Sequence, residues 1–369
     1  MSRKLGIVLV LAMLLFVSVE VLPVSVGAAA LSCPPEVDRL IDARSPELGD
    51  KILDYYNSWS VKELKAGKQP GKGFTVAVGI GGLGNDTCLF GFWGTIRRLE
   101  EMGCKVIYMS GSAGAASVEN ATIFENFVAR KPDAIMYVFC NSQVLGPGLQ
   151  KAAQRKIPVF GLDNWLSGPS VVGEVTSDNF DIGRKAASYV ITRLGGEGNV
   201  VELFTPGHRG IEIRNKMWDL MISEYPGIRE VSRQPWTDPN TIGSTRDRME
   251  AVLLANPKKG SIDAVHACFD LPGFGAADAI EAAGRQDEMF VIGIDGDREA
   301  LRRVAKGGAF QATISQDFML MSATLAHQIV DHLNGKDIPR FIYCPTTLVT
   351  RDNVRQVYRE KFGEELDIK

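Results

Sequence analysis

Polar side chains that could bind a ligand follow several short apolar runs of this 369-residue sequence. Carboxylates accept hydrogen bonds from hydroxyl groups, whereas amides and guanidinium groups donate them, so together they suit a neutral, polyhydroxylated ligand. Each residue alone is more often a helix cap or a turn former, and the prediction therefore depends on the whole set. The set comprises Asn85, Asp86, Asn141, Asp163, Asn164, Asp270, Asp295 and Gln316, with Arg214 from a predicted helix.

Aromatic side chains can complete a sugar site by packing against the C–H faces of the ring. Trp165 and Trp236 lie in loops that could present them in this way. A structural role within its own loop is an equally good interpretation of Trp236. We include Trp236 among the predicted ligand contacts.

A glycine motif offers a different interpretation. Gly79, Gly81 and Gly84 match G-x-G-x-x-G between a predicted strand and a predicted helix, where backbone can approach a pyrophosphate. The acidic residue that would bind the ribose hydroxyls is absent from the end of the next strand, Tyr108–Gly111. An exported NAD(P)-dependent oxidoreductase is therefore the alternative, and our main prediction has no cofactor.

Other classes of function lack the residues that they need. The four histidines are scattered, and neither a zinc-protease nor a serine-hydrolase motif occurs, so we predict no metal and no enzyme. Six cysteines are too few for a disulfide scaffold in a chain of this length. A net charge of −3 gives no reason to expect nucleic-acid binding.

The elements that must position these residues alternate regularly from Phe74 onward. Short β-rich runs and amphipathic stretches follow one another, which is typical of parallel sheets covered by helices on both faces. About ten strands exceed what one domain of ordinary size holds, so we predict two similar doubly wound α/β lobes. Ligands of such sheets bind at the carboxyl ends of the strands, where the polar residues lie.

The first thirty residues have the features of a secretory signal peptide. Arg3 and Lys4 precede the apolar run Leu5–Val19, and Ala28-x-Ala30 is a suitable cleavage site. Residues 31–72 form a polar leader that ends in a flexible tether, which we interpret as a spacer. Cys33 could carry a lipid, although the residues before it are a poor lipidation signal. We therefore predict a protein of the periplasm or of the outer face of the cytoplasmic membrane.

Several segments in order resemble the bacterial periplasmic sugar-binding proteins of the ribose-binding type, which are soluble components of ABC transporters. The resemblance extends from about Phe74 to Val349. The segments that carry it are Ile157–Asp163, Val175–Gly183, Arg214 with Trp218, Phe269–Asp270, Val291–Gly296, Ala312–Gln316 and Asn334–Lys336.

The resemblance implies which residues contact the ligand, and it adds Thr87 and Phe269 to the set. Asn85–Cys88 stands where the family often has two phenylalanines that stack on the sugar, and Phe269 replaces an asparagine. Asn164 likewise stands where the family has an arginine. These departures indicate that the ligand is not simply ribose, and an acyclic polyol, another pentose or a cyclitol fits as well.

The resemblance also implies an architecture and a mechanism. Two lobes joined by three crossing strands close on the ligand, and the closed form delivers it to a membrane permease or signals to a chemoreceptor or sensor kinase. We expect a monomer, with crossings near Asp163–Val171, Ser315–Asp317 and Tyr343–Pro345. The expected lobes are residues 73–164 with 317–343, and residues 165–316 with 344–362.

Overall fold

A computed structural model describes residues 31–44, 63–64, 66–112, 114, 117–237 and 240–368. The predicted signal peptide lies outside the described residues, as does much of the predicted leader. Within the described part, the alternation of strands and helices expected from Phe74 onward is present, and the strands form two six-stranded sheets.

The first sheet has the strand order β11-β5-β4-β3-β1-β2, and every neighbouring pair in it is parallel. Its strands are short apolar runs, and β1 and β3 are almost completely buried because helices cover both faces. The strands are β1 (Thr75–Ile80), β2 (Lys105–Ser110), β3 (Ala134–Val138), β4 (Val159–Leu162), β5 (Val171–Ser177) and β11 (Phe341–Cys344).

The second sheet repeats the order as β12-β10-β9-β8-β6-β7. Its edge strand β12 pairs antiparallel with β10, whereas the other pairs are parallel. The strands are β6 (Gly198–Leu203), β7 (Ile228–Gln234), β8 (Ala264–Ala267), β9 (Phe290–Asp295), β10 (Phe310–Gln316) and β12 (Thr346–Val349).

The helices connect successive strands and pack on the faces of the two sheets. They are α1 (35–44), α2 (Asp86–Glu101), α3 (Glu119–Arg130), α4 (Ser142–Gln154), α5 (Asn179–Leu194), α6 (Arg209–Ser223), α7 (Thr241–Ala255), α8 (Asp270–Ala282), α9 (Arg298–Lys306), α10 (Phe318–Leu333) and α11 (Val354–Phe362). None of the helices in the described ranges is long and apolar enough to cross a membrane.

The chain passes between the sheets three times, at single residues that separate two elements. Asp178 lies between β5 and α5, Asp317 between β10 and α10, and Pro345 between β11 and β12. Asp178 and Asp317 also accept hydrogen bonds from the first turns of the helices that follow them. These three crossings form the hinge.

The strand β5 corrects our first lobe boundary. We assigned residues from 165 onward to the second lobe, but β5 pairs with β4 and β11 in the first sheet. The first crossing therefore follows Ser177 and does not lie in the predicted stretch Asp163–Val171. A run of apolar residues predicts a strand but does not indicate which sheet the strand joins. Our prediction therefore placed β5 in the wrong lobe.

Part of the predicted spacer is instead packed helix. In α1 the side chains of Val37, Leu40 and Ile41 are buried in the core, and Arg44 is 3% exposed. Their spacing of three to four residues places them on one face of the helix. The segment before β1 is also held, since Gly71 donates its backbone N–H to the Met102 carbonyl at 2.8 Å.

Candidate ligand-binding site

A cavity of about 580 Å³ lies between the carboxyl ends of the two sheets. Seven residues of the predicted set line it, and they come from both sheets because the strand ends face each other across the cavity. These residues are Asn85, Thr87, Asp163, Arg214, Trp236, Phe269 and Asp295.

Asp163 follows β4 and is 1% exposed. Its Oδ1 accepts hydrogen bonds from the Thr176 hydroxyl at 2.6 Å and from Asn179 Nδ2 at 3.3 Å. Its Oδ2 has no hydrogen-bond partner among the described residues and lies 3.8 Å from an Arg214 nitrogen. A buried carboxylate oxygen without a donor is costly, so a ligand hydroxyl at this position would satisfy it.

Arg214 extends from α6 and is 2% exposed. Its Nε donates to Asn179 Oδ1 at 2.9 Å, and its Nη1 donates to the Cys268 carbonyl at 3.0 Å. These two bonds fix the plane of the guanidinium group, and the remaining nitrogen is directed toward Asp163. Arg214 and Asp163 thus present a donor and an acceptor side by side, which matches adjacent hydroxyl groups.

A buried carboxylate holds the loop that carries Asp163. Glu174 accepts hydrogen bonds from the backbone amides of Asn164, Trp165 and Leu166, at 2.7, 2.9 and 3.4 Å. Asp163 and Trp165 have positive φ angles of 51° and 55°, so this turn needs such support. Burial raises the pKa of Glu174 to about 7, although the three amides favour its charged form.

Asp295 ends β9 and belongs to a buried group of carboxylates. Its Oδ1 accepts from Gln316 Nε2 at 2.7 Å, while Asp270 accepts from the backbone N–H of Asp297 at 2.9 Å. Burial, and then the charge of Asp297, raise the pKa of Asp295 to about 8. Lys361 donates to the Asp295 carbonyl at 2.8 Å and offsets part of this negative charge.

Five predicted contacts do not line the cavity, and each has a structural partner. The Asn164 side chain bonds the backbone at Tyr137 and Cys140, and Asn141 caps α4. Asp270 and Gln316 support the β9 end, and Asp86 accepts from the Arg298 backbone N–H. The five are Asp86, Asn141, Asn164, Asp270 and Gln316.

The start of α2 joins the first lobe to the second. The Thr87 hydroxyl donates to Asp297 Oδ1 at 2.9 Å, and the Arg298 backbone N–H donates to Asp86 Oδ2 at 2.8 Å. Each bond connects a residue after β1 with a residue after β9. The two lobes are therefore in contact beside the cavity, as a closed cleft requires.

An aromatic wall completes the cavity. Trp236 and Phe269 make an edge-to-face contact with ring centroids 5.0 Å apart, and both line the cavity. Phe139 from the first lobe lies 5.8 Å from the His208 ring of the second. Phe139 and His208 are not among the predicted contacts, because a phenylalanine after a strand and a histidine before a helix are ordinary core and cap residues.

His208 is both a cap and part of the cavity lining. Its Nδ1 accepts a hydrogen bond from the Ile211 backbone N–H at 3.4 Å, and burial lowers the pKa of the imidazole. A neutral imidazole that accepts through Nδ1 carries its proton on Nε2. His208 can therefore donate one hydrogen bond, which adds a second donor beside Arg214.

The glycine motif has a packing explanation at its first position. A side chain at Gly79 would overlap the Tyr137 ring, so this strand residue must be small. Gly81 and Gly84 line the cavity, but β2 ends at Ser110 without the carboxylate that a dinucleotide site needs. In the described part of the chain no cluster of three or more His, Cys, Asp or Glu side chains could hold a metal ion.

Comparisons with known proteins identify the family to which this chain belongs. The model of the periplasmic binding protein domain matches residues 92–337. A xylitol-binding protein of Mycolicibacterium smegmatis is 28% identical over 63% of this chain and 66% of its own length, just under two thirds. A ribose import binding protein of Bacillus subtilis is 27% identical over 76% of this chain and 88% of its own length.

Solved structures agree with the sequence comparisons. A solute-binding protein of an ABC transporter from Agrobacterium vitis, solved with bound allitol, has a TM-score of 0.74 and 28% identity over 79% of this chain and 99% of its own. An ABC sugar transporter subunit from Rhodobacter sphaeroides has a TM-score of 0.72 and 27% identity over 76% and 99%. The chain therefore belongs to the periplasmic binding protein family, among the type I sugar-binding proteins of ABC transporters.

Proposed function

We propose that this protein captures a sugar or a sugar alcohol in the cavity between its lobes and delivers it to a membrane permease. The observation that carries the proposal is that Asp163 from the first lobe lines one cavity with Arg214 and Asp295 from the second, and that Asp163 lies 3.8 Å from Arg214. A ligand that bonds both lobes stabilises the closed form, because those contacts are complete only when the cleft is closed.

The relatives support this ligand class. They are named for binding xylitol and ribose, and one solved structure contains allitol. Two of these three ligands are acyclic polyols, in which every hydroxyl can both donate and accept a hydrogen bond. The donor and acceptor pair formed by Arg214 and Asp163 suits such hydroxyls equally well in a ring or in an open chain.

Thermal unfolding of the mature protein against pentoses, hexoses, polyols and cyclitols tests the proposal. A ligand at 1,000 times its Kd adds about 4 kcal/mol of stability, which raises Tm by about 10 °C in a protein of this size. We expect one sugar or polyol to produce such a shift. If none of these compounds and none of their substituted derivatives shifts Tm, the proposed ligand class is wrong.

NAD(P)H titration separates the receptor from the oxidoreductase. The family consists of binding proteins rather than enzymes, and the dinucleotide motif lacks its carboxylate. We therefore expect no saturable change in nicotinamide fluorescence. Saturation at micromolar cofactor would contradict the receptor function.

Membership of the family indicates the general class of partner and the location of the protein. The oligomeric state, the role in transport and the state of Cys33 are parts of our proposal. The family acts outside the cytoplasm with ABC permeases, and we propose a monomer that acts in transport rather than as a sensor.

Cys33 is half-buried beside α1, and burial raises the pKa of its thiol to about 12. We propose that this residue is an ordinary cysteine, and intact mass measurement of the native protein will detect any lipid on it.

A further inference from the structure

The cavity differs in chemistry between its floor and its mouth. Asp163 and Arg214 are 1% and 2% exposed and lie deep, whereas Ile242, in the first turn of α7, is 40% exposed. Leu83 and Leu271 line the same cavity and pack partly against the core. The buried charged groups thus lie at depth, and Leu83, Ile242 and Leu271 give the cavity aliphatic surface from both lobes, beside the exposed polar residues Ser112 and Asn240.

The cavity is also larger than one small sugar requires. Its volume of about 580 Å³ lies in the middle of the range of roughly 300–1,000 Å³ that holds drug-sized ligands. At about 30 Å³ per molecule it corresponds to roughly twenty waters, about twice the number of non-hydrogen atoms in a pentose. A monosaccharide on Asp163 and Arg214 would leave much of the cavity unfilled.

The aliphatic residues decide what fills the remaining space. Ser112 and Asn240 could bond some hydroxyls of a second sugar unit, but those placed against Leu83, Ile242 and Leu271 would lose hydrogen bonds to water without replacement. An apolar group would instead gain by leaving water. The lining therefore favours a ligand with a polar head and an apolar end.

We propose that the natural ligand is a sugar or polyol that carries an apolar substituent, such as an alkyl or aryl group. This inference rests on the proposed function and specifies its ligand class. The hydroxylated head bonds Asp163, Arg214 and Asp295, and the substituent lies against Leu83, Ile242 and Leu271. Leu83, Ile242 and Leu271 are then specificity-determining residues.

Calorimetric titration of the full mature protein tests the proposal. The probes are D-ribose, D-xylose, D-allose and xylitol, together with the n-butyl and phenyl derivatives of each, substituted at either terminal carbon. Maltose and sucrose represent ligands with two sugar units. We expect at least one derivative to bind tenfold or more tightly than its parent, because it buries an alkyl or aryl group.

Variants locate the effect. In Ile242→Ser we expect the ratio of derivative affinity to parent affinity to fall at least fivefold, since a polar side chain replaces an aliphatic one at the mouth. Leu254→Ser is the matched control, because Leu254 lies on the same helix, is 81% exposed and is not part of the cavity lining. That variant should keep the wild-type ratio.

The outcomes separate this inference from the function on which it rests. If a parent sugar binds and no derivative gains, the proposed substituent is wrong and the sugar receptor stands. Tighter binding of a disaccharide than of every derivative likewise overturns the substituent. If neither parents nor derivatives bind, the proposed function fails and this inference fails with it.

Discussion

Arg214 is the residue whose replacement should affect binding most directly. In Arg214→Lys the positive charge remains, but the fork that bonds Asn179, Cys268 and the ligand is lost. We expect ligand affinity to fall at least a hundredfold, because one partner of a buried charged network is no longer satisfied. Calorimetric titration measures the loss, with unfolding temperature measured in parallel to confirm that the protein folds.

Arg229→Lys is the matched control for that experiment. Arg229 lies on β7 of the same lobe, is exposed and is outside the cavity. This variant should bind like the wild type. Unchanged affinity in Arg214→Lys would remove Arg214 from the site.

The raised pKa of Asp295, about 8, makes binding depend on pH. A folded-state pKa above the ordinary value means that the free protein is stabilised at acid pH and loses this stabilisation as pH rises through 8. A ligand hydroxyl bonds better to the ionised carboxylate, so affinity should rise severalfold between pH 6 and pH 8.5. Titration in buffers of different ionisation enthalpy should detect proton release on binding below pH 8.

Asp295→Asn separates this effect from other titrating groups. His208 and Glu174 lie near the site, so the variant is needed to assign the pH dependence. The amide cannot ionise, and its affinity should vary much less over this range. A pH profile identical to that of the wild type would contradict the assignment.

At the scale of elements, α1 ties the hinge to both lobes. Arg44 makes two hydrogen bonds to Asp317 at 3.0 and 2.9 Å, while Arg97 on α2 pairs with Asp38 at 2.7 Å. Arg39 pairs with Glu364, beyond α11, at 3.0 Å. Burial alone would raise the pKa of Asp317, but the charge and hydrogen bonds of Arg44 lower it to about 2.

Arg44→Gln should lower the free energy of unfolding by about 3 kcal/mol, because the Asp317 carboxylate loses a charged partner. Chemical denaturation at pH 7 measures the difference. Since the lowered pKa stabilises the protein above about pH 4 and the effect disappears as pH falls through 2, the variant should also be less sensitive to acid. Arg39→Gln, whose arginine is 65% exposed, should cost less than 1 kcal/mol.

The strands and the position of the cavity could be predicted from the sequence, whereas the packing of α1 and the role of Glu174 could not. Strands such as β1 and β9 were predictable because apolar runs are bounded by turns, and the cavity position followed from the strand ends. The buried face of α1 was not predicted, because Val37, Leu40 and Ile41 are its only large apolar residues and stand among charged ones. The role of Glu174 in holding the loop after β4 could not be predicted, since it depends on the folding of residues 164–166 around its carboxylate.

At the scale of the whole molecule, the contacts beside the cavity predict how closure depends on ligand. Asp86→Ala and Thr87→Val each remove one bond between the lobes. We expect the free variants to be more open, with a larger radius of gyration in X-ray scattering, and to bind ligand several times more weakly. Saturating ligand should return the scattering curve to that of the wild type.

Ser112→Ala is the control for those variants. Ser112 lines the cavity from the first lobe and bonds Glu119 within that lobe, so it does not link the lobes. Its free form should scatter like the wild type. An Asp86→Ala protein that is as compact as the wild type without ligand would show that these bonds do not hold the lobes together.

The three crossings also determine when the protein can fold. Completion of the first sheet needs β11, and the packing of α1 needs α10, both of which come late in the chain. A ribosome must therefore make most of the polypeptide before the first lobe can close around its core. Proteins of this family act outside the cytoplasm, and a chain that completes its fold late remains unfolded, and therefore able to pass through a translocation channel, until its synthesis is nearly finished.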